Sequence, residues 1–150
     1  MNMAVEILKT DWQTHSAELT RVRTLVFMEE QQVSAEDEWD GLDNSATHFL
    51  VTDNQQTIGC ARLLQEHHNG QTLFHIGRVA ILKPRRGQGI GHQLMQVVIN
   101  HCRQLSPTTP IYLHAQCERQ HFYEVLGFEV EGDIFIDAGI PHISMRYKTQ

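Results

Sequence analysis

The sequence is short of paired cysteines, of long apolar runs and, over one wide stretch, of any positive charge. Its three cysteines, Cys60, Cys102 and Cys117, are odd in number and far apart. That pattern supports neither a disulfide framework nor a Cys-x-x-Cys metal or redox centre, and buried thiols are expected. No apolar stretch reaches signal-peptide or membrane-spanning length, which leads to the expectation of a soluble cytoplasmic protein with no membrane partner. Lysine and arginine number 12 against 18 acids, a formal charge of -6. A nucleic-acid binder needs a clustered basic face, so none is expected here. Among the 10 histidines, His67 and His68 are adjacent rather than one helical turn apart, and no His/Cys spacing suits a tetrahedral ion, so no metal is expected. No linker or repeat divides the 150 residues, which are read as one domain over 1–150.

The charge that is present is unevenly placed. From Thr24 to Ala61 there is no lysine or arginine, while Glu29, Glu30, Glu36, Asp37, Glu38, Asp40, Asp43 and Asp53 all fall there; near Lys83, Arg85 and Arg86 the sign reverses. Such asymmetry suits a polyanion at one place and a cation at another, although each acid taken alone reads as part of a solvated face.

Residues 4–8 alternate as a short strand, and a polar start at Thr14 or Ser16 opens a helix whose Leu19, Val22 and Val26 share a face. The acidic stretch after Phe27 is expected to be loop or short helix. Residues 48–52 and 57–64 are strand formers separated by Asp53-Asn54-Gln55-Gln56, which predicts a hairpin; His68-Asn69-Gly70-Gln71 then turns into a strand over 72–82. Ile90, Leu94, Val97, Val98 and Cys102 recur at helical spacing up to about Leu105. A strand over 111–115, a helix over about 118–126 stopped by Gly127, and strands over 128–130 and 143–147 follow. This order implies an α/β (α+β) fold, a mixed sheet with helices on both faces.

The strand Gly77-Arg78-Val79-Ala80-Ile81-Leu82 runs into Lys83-Pro84-Arg85-Arg86-Gly87-Gln88-Gly89-Ile90-Gly91 and directly into a helix. Free backbone N–H groups converge at such a helix start, glycines let the backbone approach closely, and Arg86 adds charge, so a pyrophosphate fits. The glycine spacing is wrong for a dinucleotide fingerprint, and no Gly-Lys-Ser/Thr ending marks a triphosphate loop. Arg-x-x-Gly-x-Gly after a strand ending Val-Ala-Ile, filled by Arg86, Gly89 and Gly91, resembles the coenzyme A loop of the GNAT acetyltransferase superfamily. Phe122-Tyr123-Glu124-Val125-Leu126-Gly127-Phe128 resembles that family's aromatic-Tyr-x-x-x-Gly-Phe segment. Val26-Phe27-Met28-Glu29-Glu30-Gln31, Ala115-Gln116 and Gly139-Ile140-Pro141-His142 further resemble the ElaA-like bacterial branch, so the similarity spans nearly the whole chain.

The resemblance implies a GNAT-type, mostly antiparallel sheet with splayed central strands and an N-acetyltransferase acting on acetyl-CoA and a small primary amine. It assigns the coenzyme to Arg86, Gly87, Gln88, Gly89, Ile90 and Gly91, to the backbone of Val79, Ala80 and Ile81, and to Phe122. Gln116 stands where many members have asparagine, seven before the tyrosine, and is placed at the pantetheine arm. Tyr123 takes the family's general-acid position. No acid lies between Thr72 and Leu82 to serve as base, which leaves His75 on that strand, Glu30, or a water chain. Glu30 and His142 are expected on the acceptor side; Arg78 is expected to pair with a buried carboxylate or an anionic acceptor group, the ion pair having the greater weight. Homodimerisation is implied by analogy alone. A non-catalytic acyl-CoA sensor and a protein lysine or N-terminal acetyltransferase remain open alternatives.

Overall fold

The computed structural model describes residues 5–148. Ala4, the expected first residue of the opening strand, lies outside them. Strands β1 (Val5–Thr10), β2 (Thr47–Asp53), β3 (Gln56–His68) and β4 (Gln71–Ile81) pair antiparallel in succession. β5 (Ile111–Gln116) lies parallel to β4, and β8 (Ile140–Tyr147) pairs antiparallel with β5, β6 (Phe128–Val130) and β7 (Phe135–Asp137). The result is one eight-stranded sheet in which β4 and β5 are the parallel pair.

Two tight hairpins set the register of the antiparallel half. Asn54 and Gln55, then Asn69 and Gly70, all adopt positive φ, from 49° to 78°. Consecutive left-handed residues match the strand twist, and asparagine and glycine tolerate them best.

Helices cover both faces. α1 (Trp12–Arg23) is capped by Asp11, whose side chain accepts from the Thr14 N–H at 2.8 Å, one turn earlier than the expected polar start. Its Leu19 and Val22 pack with Leu50, Cys60 and Ala80 on one face of the sheet. On the other face, α3 (Ile90–Leu105) buries Leu94, Met95, Val98, Ile99 and Cys102 against Phe49, Phe74, Ile76 and Met145. Short helices α2 (Ala35–Glu38) and α4 (Gln120–Val125) complete the chain.

The structure differs from the sequence expectation in several local features. The helix after α1 continues as a π-helical turn over Thr24–Glu30, closed by Gln31 N–H to the Val26 carbonyl at 3.1 Å. β3 runs on to His68 rather than stopping at Leu64, and β7 forms where no strand was expected.

Two irregularities at the sheet centre prepare the site. The β4–β5 pairing covers only Phe74–Ile76 against Ile111–Leu113, although the strands continue to Ile81 and Gln116; past Ile76 they part. In β4 the register with β3 jumps from Arg62↔Gly77 to Cys60↔Ala80, so Arg78 and Val79 share one opposing residue, and Arg78 takes φ 51°. This β-bulge bends the strand where it leaves β5.

Candidate active site

The parting strands open a cleft of about 950 Å³ whose lining runs from the Arg86–Gly91 loop to Asp137 and His142. At the loop end, Gly87 and Gly89 hold φ of 77° and 79°, and a Cβ on either would meet nothing within 4 Å. Backbone conformation, rather than crowding, therefore calls for glycine at both. Gly91 is different: a Cβ there would stand 3.3 Å from the Phe122 ring. The first α-helical bond of α3 joins Gln93 N–H to the Gly89 carbonyl, so the amides of Ile90, Gly91 and His92 precede the hydrogen-bonded ladder.

Arg86 fastens this loop. Its Nε donates to the Ile81 carbonyl at 2.8 Å, and its two terminal nitrogens grip Glu30 at 2.6 and 2.8 Å. The Arg86 hydrogen bonds hold the Glu30 carboxyl below its ordinary range against a small opposing pull from burial. Glu30, expected on the acceptor side, is thereby paired with Arg86 at the loop end. Its neighbour Arg85 pairs with Asp53 at 2.6 Å and donates to Gln88 at 3.3 Å.

Along the cleft, Val79, Ala80 and Ile81 form one wall and Gln116, Phe122 and Tyr123 the other. Gln116 donates to the Gln31 side chain at 2.8 Å, tying β5 to the turn after the π-helical segment. Tyr123 meets Phe122 and Phe128 edge-on, with centroids 4.9 and 6.1 Å away. Burial pushes its phenol up to about 12, with Arg119 pulling the other way.

Beyond the bulge the cleft becomes polar. Arg78 bonds Glu38 at 3.2 Å, the carbonyls of Asp37 and Glu38, and Asp40 at 3.3 Å, so of its two expected partners it takes the buried carboxylate. His75 lies at the point where the strands part, its Nδ1 2.9 Å from Glu66, its ring stacked on Tyr112 at 4.3 Å. His142 holds the Ile140 carbonyl at 2.7 Å through Nδ1 and stacks against Phe135.

Residues 14–149 match the acetyltransferase (GNAT) domain family. The chain belongs to that family. It is 34% identical to Protein ElaA of Escherichia coli K12 over 128 residues, covering 85% of this chain and 83% of that protein. The crystal structure of an acyl-CoA N-acyltransferase from Pseudomonas aeruginosa superposes with a TM-score of 0.84 at 33% identity, covering 96% of this chain and 99% of that one. For the crystal structure of E. coli ElaA the values are 0.86 and 29%, with 96% and 99% covered. The chain is thus a GNAT N-acetyltransferase homologue of the ElaA-like branch, in a family of acyltransferases that use acyl-CoA thioesters.

Set in this GNAT frame, the glycine loop, β4 and α4 bring the expected coenzyme-side residues around one cleft, with the exception of Gln88, which is not among its lining residues. No group of three or more His, Cys, Asp and Glu among the described residues is arranged for a metal ion, and no described helix is long and apolar enough to cross a membrane. Sequence reasoning missed Glu66 and Tyr112. The signal for Glu66 was present: a two-residue Asn69-Gly70 turn pairs Glu66 with Leu73, which puts it diagonally beside His75 on the same face.

Proposed function

We propose that this protein transfers the acetyl group of acetyl-CoA to a primary amine of a small molecule, by direct attack while both substrates are bound. The observation that carries this reading is the parting of β4 from β5 between an anion-binding helix start and a polar end that holds an imidazole. Acetyl-CoA supplies the acyl group as an activated thioester. The amides of Ile90, Gly91 and His92, with Gly87 and Gly89 shaping the turn, receive the pyrophosphate at the positive end of α3. A Cβ at Gly91 would stand 3.3 Å from the Phe122 ring, so a side chain there would have to push that ring aside. The unpaired edge of Val79–Ile81 hydrogen-bonds the pantetheine arm as an added strand would, and the N–H near Ile81 polarises the thioester carbonyl.

Tyr123 donates a hydrogen bond to the departing sulfur. With its phenol at about 12 and a thiol near 8.5, outright proton transfer runs uphill, so donation without transfer is its task. His75 takes the proton that the amine releases. Arg78 and His142 shape the acceptor end, Arg78 through its hold on Glu38. A cytoplasmic setting and pairing of two copies belong to the same reading.

Calorimetry with acetyl-CoA tests the coenzyme side. Asp and Asn both tolerate left-handed φ, so Gly89→Asp and Gly89→Asn differ mainly in charge at an open position. The Asp variant should bind at least about tenfold more weakly, a loss of roughly 1.4 kcal/mol, while the Asn variant stays near wild type. Thiol release with a panel of primary amines then tests turnover; equal binding by all three proteins would remove the coenzyme assignment and the function with it.

A further inference from the structure

Glu66 has no role in the reading above, yet three side chains converge on its carboxylate. Its Oε2 lies 2.9 Å from His75 Nδ1, Tyr112 donates its hydroxyl to Oε1, and His68 Nε2 lies 3.3 Å from the same oxygen. The placement follows from the sheet. The Asn69-Gly70 turn sets Leu64 opposite His75, and the parallel register sets Tyr112 opposite His75, so all three side chains share one face. The opposite face of the same strand carries Phe74 and Ile76, which belong to the α3 core.

We infer that Glu66 is a positioning carboxylate that keeps the proton of neutral His75 on Nδ1 and leaves Nε2 as the lone-pair nitrogen that accepts the amine proton. The inference rests on His75 acting as base in the function proposed above. An ionised carboxylate only accepts hydrogen bonds, so the ring nitrogen facing it must be the donor; neutral imidazole has one N–H, and Nε2 is then the acceptor. Nε2 makes no hydrogen bond among the described residues, while the ring lines the cleft. Burial pulls the Glu66 carboxyl upward, but the Tyr112 and His75 hydrogen bonds outweigh it and leave it ionised.

The groups facing His75 are Glu66 and Arg62 from β3, Arg78 from β4, and Tyr112 and His114 from β5. Burial and the two arginines lower its pKa, which keeps it neutral at pH 7, while Glu66 pulls it back. Proton balance is complete without another reagent. An amine that arrives as an ammonium first gives one proton to Nε2, which passes it to solvent; as the C–N bond then forms and the C–S bond breaks, the second amine proton follows the same route, the imidazolium keeping its Nδ1–H on Glu66 each time and the thiolate leaving beside Tyr123. Tyr112 stacks on the imidazole at an interplanar angle of 17° and bonds the other oxygen of Glu66, so ring and carboxylate are fixed together.

Nitrogen-15 NMR of histidine-labelled protein tests this directly, before any acceptor is known. Wild type should show His75 as the Nδ1–H tautomer at pH 8, and Glu66→Gln should lower its pKa by removing the facing negative charge. In thiol-release assays with ethanolamine, glucosamine and spermidine as probes, Glu66→Gln should lower kcat about 10- to 100-fold. The same variant should leave acetyl-CoA binding near wild type, lose less with hydroxylamine, which arrives unprotonated at neutral pH, and be partly rescued by Glu66→Asp. An Nε2–H tautomer in wild type, a His75 pKa that ignores Glu66→Gln, or a Glu66→Gln enzyme as fast as wild type with ethanolamine would overturn the inference. Failure of wild type to bind acetyl-CoA would instead strike the proposed function, so the two fail separately.

Discussion

Tyr123 sits between Phe122 and Phe128 with its phenol pushed up to about 12, and its hydroxyl makes no hydrogen bond among the described residues. In the reaction proposed above, that unused donor serves the departing sulfur. Tyr123→Phe keeps the ring packing and removes the donor, so acetyl-CoA affinity and fold should be retained while kcat falls about 10- to 100-fold. Stopped-flow thiol release with the best amine substrate measures this, and an unchanged kcat would assign Tyr123 to packing alone. The glycines of the loop proposed for the coenzyme were legible because each has a local reason to be what it is. Glycine supplies positive φ at 87 and 89, and at 91 it makes room for Phe122. Glu66 was not legible in the same way, because its importance comes from three strands meeting, and the expected end of β3 at Leu64 left it outside the sheet.

At the scale of elements, α1, the segment around α2, and β3 and β4 are joined by three arginines and three carboxylates. Arg23 Nε bonds Glu38 at 2.6 Å and its Nη1 bonds Asp43 at 2.6 Å; Arg62 bonds Asp40 and Asp43, and Arg78 bonds Glu38 and Asp40. Arg23 is fully buried, with Trp39 and Trp12 rings 4.8 and 5.8 Å from its guanidinium carbon. Arg23→Ala removes the 2.6 Å bonds to Glu38 and Asp43 and leaves each only its longer arginine contact, to Arg78 at 3.2 Å and to Arg62 at 3.3 Å, so it should cost about 3–5 kcal/mol of unfolding free energy. Arg23→Lys should recover only part of this, because one ammonium cannot reproduce the forked contacts to Glu38, the Glu38 carbonyl and Asp43. Urea titration of both variants checks it; a loss under about 1 kcal/mol for the alanine variant would show that the site relaxes or hydrates. Gly59 is a second element-scale constraint: a Cβ there would stand 2.8 Å from the Ala80 carbonyl oxygen and 2.7 Å from Ile81 Cδ1. Gly59→Ala should therefore push on the β4 wall of the cleft, weakening acetyl-CoA binding in calorimetry as well as lowering the melting temperature. The helices and hairpins could be read from apolar spacing and turn residues, but the π-helical turn could not, since nothing in Thr24–Glu30 departs from ordinary helical pattern. At the end of that turn Glu30 meets Arg86, 56 residues further along the chain.

Over the whole molecule, the sequence's long stretch without positive charge is partly cancelled in space, because Arg23 and Arg62, which flank it, and Arg78 come back to bond Glu38, Asp40 and Asp43. The parallel β4–β5 pairing was likewise not written in any local pattern; it follows from α3 crossing one face of the sheet between them. The same burial that organises the site sets the pH range of the fold. His48, His75, His101 and His114 all have pKa values lowered from 6.5, chiefly by burial. The unfolded chain then takes up protons first, so their contribution is complete above about 6.5 and drains away as pH falls below it. Asp40 adds a second loss: burial pulls it up, but the Arg62 hydrogen bond, the Leu42 amide and the nearby arginines bring it from 3.8 to about 2, so its stabilisation disappears between those values. On the alkaline side burial raises Cys60 and Cys102 from 9.0 to about 12, and the unfolded thiols lose protons first, so stability declines as pH rises past 9. Thermal unfolding from pH 4 to 10 should therefore show a plateau near pH 7 to 8.5 with a fall on both sides. His48 offers the sharpest check, because it is 1% exposed and its Nε2 lies 3.0 Å from the Asp43 carbonyl oxygen. His48→Gln keeps a hydrogen-bond donor but cannot titrate, so the variant should lose less stability than wild type between pH 7 and 5 even if it starts lower. Parallel curves for the two proteins would mean that the acid limb belongs to the other histidines or to the carboxylates.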